Sequence, residues 1–265
     1  MENDLVKITI ITVVYNNSIE LKTTIQNIID QTYTNIEYIV VDGKSTDGTL
    51  NIINKYSDHI HVWTSEEDEG LYDAMNKGMA LATGDYIVFM NAGDTFAKKE
   101  TLSNVAEEIV ANEFPDFVYG DLIEIPFNGK SYLRVSRSTE AKKIGMFTCH
   151  QSMYYKNQVI KDYNLSYDLK FKIASDYNFT CKFLNVSKRN FHISSPLCKF
   201  ELGGISTENW YKYLVENHET RKTVLKMSFM QGLFIHYAQV VWHIVKFKVP
   251  IIHRLIRYRN ISDEN

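Results

Sequence analysis

What this 265-residue chain lacks removes several classes of function. Cysteine is scarce: Cys149, Cys181 and Cys198 are odd in number, widely spaced and form no C-x-x-C pair. That spacing excludes a zinc knuckle or a disulfide framework and predicts a protein of the reducing cytoplasm. A basic excess is also missing: 29 Lys and Arg face 32 Asp and Glu, for a net charge of −3, so no nucleic-acid partner is expected. No G-x-G-x-x-G follows the first apolar run, which disfavours a dinucleotide site, and no G-x-x-x-x-G-K-[ST] marks a P-loop. The N-terminus passes from MENDLVK straight into a strand-like run, without the charged, apolar and small-residue order of a leader. Internal repeats and low-complexity tracts are absent too, so 265 residues of ordinary composition predict a globular chain with a substantial core.

One absence is local. Between residues 221 and 259 there are eight Lys or Arg and no Asp or Glu. The same region holds MSFMQGLFIHYAQVVWHIV (227–245), about long enough to span a bilayer but interrupted by Gln231, His236, Gln239 and His243. It reads as an interfacial or packed amphipathic helix followed by the basic KFKVPIIHRLIRYR. One alternative is an ordinary C-terminal helix packed on the domain. The missing acids favour peripheral contact with an anionic membrane surface through 221–259.

What is present is a regular alternation over the first 120 residues. KITIITVVY (7–15), IEYIVVD, IHVWTS, DYIVFM and FVYGD read as strands, and ELKTTIQNIIDQ, LNIINKYS, LYDAMNKGMALA and a stretch near 100–112 read as helices. Strand and helix in this order predict an α/β fold with a mostly parallel central sheet flanked by helices. After Asp121 the pattern loosens into a hairpin-like LIEIPFNGKSYLRVS, a helix near 174–184 and a short strand around Phe191. The last sixty residues read as helical. The division expected is a domain over 1–205 and a helical C-terminal extension over 206–265.

In such a sheet, ligands bind beyond the carboxyl ends of the strands. Those ends carry polar groups: Tyr15, Asn16 and Asn17 after the first, Asp42, Ser45 and Asp47 after the second, and Glu66, Glu67 and Asp68 after the third. Asn91 and Asp94 follow the fourth, and Gly120 and Asp121 the fifth. One such cluster is ordinary turn chemistry, but five on one edge predict a site. A cleft rich in carboxylates needs a divalent cation to hold a diphosphate, and Mg²⁺ or Mn²⁺ accept one protein carboxylate with phosphate and water completing the shell.

ITIITVVYNNSIELKTTIQNIIDQTYTNIEYIVVDGKSTDGT and SEEDEGLYDAMNKGMALATGDYIVFMNAGD strongly resemble the nucleotide-sugar-binding half of the family 2 glycosyltransferases, which have the GT-A fold. The likeness thins through HQSMYY, ASDYNF and GGIS (203–206). By that resemblance Asp42 binds the uracil ring, with Thr12, Tyr15, Asn16 and Ser45 in the same pocket. Asp68, Gly70, Asp73 and Lys77 frame the ribose, diphosphate and donor sugar; an i,i+4 ion pair is the plain alternative for Asp73 and Lys77. Asp94 is the metal ligand. The family's D-x-D is altered here, because Asn91 and Gly93 stand where carboxylates are usual, and Asn91 is assigned to ribose or water. Asp176 is the catalytic base, or otherwise a first-turn acid favoured by the helix dipole. His150 is assigned to the diphosphate or acceptor, or to a structural role, and GGIS to a backbone wrap of the diphosphate or a turn.

The resemblance implies an inverting hexosyltransferase using a UDP-sugar and a divalent cation, Mg or Mn. Its acceptor would be a saccharide, lipid-linked to suit the C-terminal segment, in capsule or lipopolysaccharide synthesis at the cytoplasmic membrane face. A non-catalytic nucleotide-sugar-binding or scaffold protein of the same fold is the alternative. A nucleotidyltransferase would need a Gly-rich basic loop that VVYNNSIELK does not provide.

Overall fold

A computed structural model of the chain describes residues 6–125, 131–201 and 208–248. Its first half alternates β1 (Ile8–Val14), α1 (Ser18–Ile29), β2 (Ile36–Asp42), α2 (Thr49–Lys55), β3 (Val62–Ser65), α3 (Leu71–Leu81) and β4 (Tyr86–Phe89). A two-residue β5 (Thr95–Phe96) and α4 (Thr101–Ala111) lead to the long β6 (Phe117–Ile125) and its partner β7 (Tyr132–Arg134). Then come β8 (Met153–Lys156), α5 (Asn157–Asp162), α6 (Ser175–Val186), β9 (Asn190–Glu201), α7 (Trp210–Thr223) and α8 (Phe229–Lys248).

The continuous apolar runs form strands because both of their faces are covered. In β1, Ile8, Ile10 and Val14 join one core layer with Leu21, Ile25 and Ile28 of α1 and residues of α2 and α4. Ile11 and Val13 join the opposite layer, with Met75 and Met79 of α3, Val159 of α5 and Phe179 of α6. With no wet face there is no period-two alternation to read. The i, i+4, i+7 spacing of Leu21, Ile25 and Ile28 likewise places one stripe of α1 against the sheet.

The strands lie in one sheet of order β3-β2-β1-β4-β8-β6-β9-β5, with β7 beside β6. β3, β2, β1 and β4 are mutually parallel, so the chain turns after Val14, Asp42, Ser65 and Phe89 all emerge at one edge. β8 runs antiparallel between β4 and β6, β6 pairs parallel with β9, and β5 and β7 add antiparallel edges. The expected parallel sheet is therefore the half formed by β3, β2, β1 and β4, and the looser second half of the sequence supplies the mixed part.

Two sequence expectations change. The fifth strand does not end at Asp121: β6 runs on to Ile125, and the pairing with β9 slips around Gly120 and Asp121. A Gly-Asp pair is a turn signal, but here it is a bulge inside a strand. Asp121 is buried, its Oδ1 accepting from Ser136 N at 2.8 Å and facing His192 Nε2 at 2.8 Å, so it is no strand-end ligand group. The short strand near Phe191 is twelve residues long. The last part is helical as expected where described. GGIS (203–206) and residues 249–259 of the basic segment lie outside the described residues. Among the described residues, no helix is long and apolar enough to cross a membrane.

Candidate active site

The β1 and β2 turns are tied together first. Asn16, in left-handed backbone conformation at φ 47°, donates its N–H to Ser45 Oγ at 2.7 Å and accepts Thr46 N–H on Oδ1 at 2.8 Å. Asp47 accepts Thr49 N–H at 3.0 Å and Ser18 N–H at 3.1 Å, so one carboxylate caps the starts of both α2 and α1. Asn16 and Ser45 thus join the β1 and β2 turns. Thr12 does not line the expected base pocket: it is fully buried beneath the turns, its hydroxyl donating to Met90 O at 2.7 Å and accepting from Tyr38 OH at 3.1 Å. That correction has a plain cause, because alternate β1 residues face opposite layers and Thr12 shares the layer of Ile10 and Val14.

Asp42, also fully buried, sits at the end of β2. Its Oδ2 accepts Ser45 N–H at 3.0 Å and Ser65 O–H at 2.6 Å, while Oδ1 is buried with no hydrogen-bond partner. A buried, unpartnered carboxylate oxygen is costly unless a ligand donor meets it. Gly43 follows. A Cβ there would lie 2.6 Å from Asp68 Oδ2 and 3.3 Å from the Tyr15 ring, so the glycine is what lets these three segments converge. Tyr15 is 66% exposed, a free aromatic face beside Asp42's turn.

Asp68 accepts Gly70 N–H at 2.8 Å, and Gly70, at φ 115°, turns the chain into α3. Asp73 and Lys77 make the i,i+4 pair at 3.4 Å. Lys77 also reaches Glu66 at 3.0 Å and Glu67 O at 2.7 Å, so it pins the acidic turn back onto α3.

After β4, Thr24 of α1 shapes the opening of the next loop. Its hydroxyl contacts Asn91 O at 3.3 Å and Asp94 O at 2.9 Å and accepts Gly93 N–H at 2.9 Å. Asp94 is half-buried, with Oδ2 accepting from Gln151 Nε2 at 2.7 Å; burial pushes its carboxyl up to about 7, against the lowering effect of that bond. Asn91 Nδ2 faces His150 Nε2 at 3.1 Å. Burial lowers His150 to about 4, so the ring is neutral, Nε2 is the acceptor and Nδ1 carries the proton. His150 therefore brings no positive charge to this corner. Gln151 lies in the HQSMYY stretch but was assigned no role from sequence; it holds Asp94 directly.

Among the described residues, no group of three His, Cys, Asp or Glu is placed to bind a metal. The donors near Asp94 are one carboxylate and the buried, unpartnered oxygens of Asn91 (Oδ1) and Gln151 (Oε1). Hard oxygens in that number fit Mg²⁺ or Mn²⁺ if phosphate and water supply the remaining positions.

Asp176 lies in the first turn of α6. Its Oδ1 accepts Tyr177 N–H at 2.7 Å and stands 3.5 Å from the hydroxyl of Tyr72 in α3. Burial, with a smaller contribution from the charge of Glu216, raises its carboxyl to about 6. Tyr72 thereby links Asp176 to the segment that carries Asp68, Gly70 and Asp73, and a cavity of about 40 Å³ lies between that segment and Leu169, Phe171 and Lys172.

A half-parallel sheet with polar groups at its carboxyl edge, an acidic turn before α3 and a lone aspartate after β4 define a GT-A glycosyltransferase fold. The glycosyl transferase family 2 model matches residues 9–175, and the chain belongs to that family. It is similar to a PGL/p-HBAD biosynthesis glycosyltransferase of Mycobacterium bovis, 31% identical over 189 residues that cover 69% of this chain and 72% of the relative. Glycosyltransferase GlyA of Streptococcus pneumoniae is 28% identical across 83% of this chain, which spans 34% of that protein. Among solved structures, S. aureus TarS 1–349 in complex with UDP aligns with TM-score 0.65 and 20% identity, over 87% of this chain and 69% of that fragment. Mannosyltransferase PcManGT from Pyrobaculum calidifontis, in complex with GDP-Man and Mn²⁺, aligns with TM-score 0.64 and 17% identity, over 88% and 68% of the two chains.

Proposed function

We propose that this glycosyltransferase moves a hexose, with inversion, from a UDP-sugar to a hydroxyl of a saccharide acceptor used in cell-surface polysaccharide synthesis. One observation carries the choice of uracil: Asp42 offers a buried acceptor oxygen with no partner, beside the exposed ring of Tyr15. A uracil imide N–H is the donor that fits, with the base lying against the tyrosine. TarS, solved with UDP, shares the fold, which is consistent with this reading. On this reading Asn16 and Ser45 brace the base site, and Asp68, Gly70, Asp73 and Lys77 frame the ribose, diphosphate and sugar.

In the transfer, ionised Asp176 takes the acceptor hydroxyl's proton as that oxygen attacks the anomeric carbon. The carbon–oxygen bond to UDP breaks on the opposite face and the diphosphate leaves with the electron pair. Asp94, with Asn91 and Gln151 at hand, would hold a divalent cation, which when bound neutralises charge on the leaving diphosphate. Incubation with a panel of UDP- and GDP-sugars, a saccharide acceptor and Mn²⁺ should release UDP from one donor and an anomer of opposite configuration. Release only from GDP-sugars, or retention of configuration, would reject the reading.

The base role sets a pH dependence. Asp176 must be ionised to act, and its carboxyl is raised to about 6, so kcat/KM should climb tenfold per pH unit below about 6 and level off above it. A flat profile from pH 4.5 to 7.5 in a stably folded enzyme would remove Asp176 from the role.

The same reading includes peripheral contact with an anionic membrane that carries a lipid-linked acceptor. α8 packs by one face: Gln239 Nε2 donates to Ile144 O at 2.6 Å and His243 stacks on Trp210 at 4.0 Å. On the other face Met230, Phe234, Tyr237, Val241 and Ile244 recur at four- and three-residue steps, all strongly exposed. One face of α8 is thus packed and the other is apolar and exposed, which supports contact with a membrane surface. Arg221 is not part of the basic surface, since it is fully buried and donates to Ile144 O and Gln239 Oε1. Replacing Phe234 and Val241 together by Glu should cut co-sedimentation with phosphatidylglycerol vesicles at least fivefold, leaving turnover of a water-soluble acceptor unchanged. Unaltered co-sedimentation would sink the membrane role.

A further inference from the structure

The turn that delivers Asp176 is held by a residue of the C-terminal extension. Glu216 of α7 is buried, and its carboxylate accepts three consecutive backbone N–H groups: Lys172 on Oε1 at 3.0 Å, and Ile173 and Ala174 on Oε2 at 2.9 and 2.8 Å. α6 begins at Ser175, directly after these three residues, and has no side-chain N-cap of its own. From the other side, Tyr72 of α3 donates its hydroxyl to Ile173 O at 2.8 Å. The turn is thus gripped by its amides from α7 and by a carbonyl from α3.

We propose that Glu216 is a positioning residue for the transfer reaction, fixing the Lys172, Ile173 and Ala174 turn so that Asp176 faces the acceptor. The proposal rests on the reading of Asp176 as the base. Two observations separate it from simple helix docking. α7 already has other anchors: Asn178 Nδ2 donates to Thr220 Oγ1 at 3.1 Å, and Arg221 donates to Ile144 O at 3.2 Å. A buried carboxylate is also a costly way to dock a helix, whereas three charge-assisted N–H bonds on one group fix a backbone turn tightly. No neutral side chain replaces it: the amide of Gln would accept on one oxygen and turn an NH₂ toward the remaining N–H donors. The family match ends at residue 175, one residue short of Asp176 and 41 short of Glu216, so the extension completes the catalytic turn from outside the matched region.

The test compares Glu216→Gln, Glu216→Asp and Thr220→Val in the full chain. Thr220→Val loosens α7 without touching the turn. In Glu216→Gln, kcat should fall at least thirtyfold with donor KM within twofold of wild type. Glu216→Asp, which restores the charge on a shorter stem, should recover at least a third of that loss on a logarithmic scale. Hydrogen exchange at the amides of Lys172, Ile173 and Ala174 should speed up at least tenfold in Glu216→Gln and stay near wild type in Thr220→Val, whose kcat should also be preserved. Three results would overturn the proposal: kcat in Glu216→Gln within twofold of wild type, unchanged exchange at those amides, or an equal kcat loss in Thr220→Val at matched Tm. If Glu216→Gln does not fold, Glu216→Asp is judged on the same split, with kcat expected to fall and KM to hold. Asp176→Asn keeps the two readings apart: if it retains turnover, the base assignment fails, and amide exchange alone decides whether Glu216 holds the turn.

Discussion

Asp176→Asn should lose at least a thousandfold in kcat, bind UDP within twofold of wild type, and melt at a higher temperature at pH 7.5. General-base help is worth roughly 10²–10⁴ in rate, which sets the first figure. The thermal shift follows from linkage. The folded carboxyl is raised from 3.8 to about 6, chiefly by burial, so folding favours the protonated form. That contribution is fully present below about pH 4 and is lost as pH rises through about 6, leaving an ionised, half-buried carboxylate at working pH. The penalty reaches at most about 3 kcal/mol at 1.36 kcal/mol per unit. Asparagine keeps the acceptor for Tyr177 N–H but carries no charge, so Tm should rise by roughly 5 °C. A dead variant with a lowered Tm would make Asp176 a structural residue instead. Retained turnover would remove it from the mechanism.

Asp42→Asn should change which base the protein prefers. Asn can place its oxygen where Oδ2 now accepts Ser45 N–H and Ser65 O–H, at 3.0 and 2.6 Å, so the local fold is kept. Its NH₂ then occupies the place of the unpartnered Oδ1 and turns an acceptor into a donor. Facing a uracil imide N–H, two donors meet, and an unmade buried bond of this kind costs about 1–3 kcal/mol, or roughly ten- to a hundredfold in Kd. Cytosine presents an acceptor at that ring nitrogen. The variant should therefore weaken UDP at least tenfold and leave CDP equal or tighter, measured by calorimetry on the two nucleotides. Parallel losses for UDP and CDP would show that Asp42 does not read the base.

How much of this was legible in the chain depends on where each group's partners lie. β1, β2 and β4 were readable because covered faces leave uninterrupted apolar runs, and turn residues after them mark the same edge. Asp42, Asp68 and Asp94 stood out for that reason. Thr12 misled because the resemblance placed it by position along the strand, whereas strand alternation turns it into the core. Gly120 and Asp121 misled because a bulge uses the same residue types as a turn. The partners of Gln151, Glu216 and Arg221 were invisible for a shared reason. Gln151's partner is 57 residues away in sequence; those of Glu216 are backbone groups 42 to 44 residues away, and Arg221 reaches a carbonyl 77 residues away. No local periodicity encodes such pairs. A count of charges placed Arg221 among the surface cations, and only packing shows that it is buried.

The altered D-x-D is also better defined. Asn91 and Gly93 do not leave Asp94 unsupported: Thr24 fixes the loop, Gln151 orients the carboxylate and His150 meets Asn91 as a neutral ring. The oxygens left over suit a cation that draws most of its shell from phosphate and water.

The central claim is that the pocket at the end of β2 is built for a uracil nucleotide. Titrating the wild-type chain with UDP and with GDP in the presence of Mn²⁺ tests it most directly. UDP should bind at least tenfold more tightly than GDP. Equal affinity, or a preference for GDP, would contradict it.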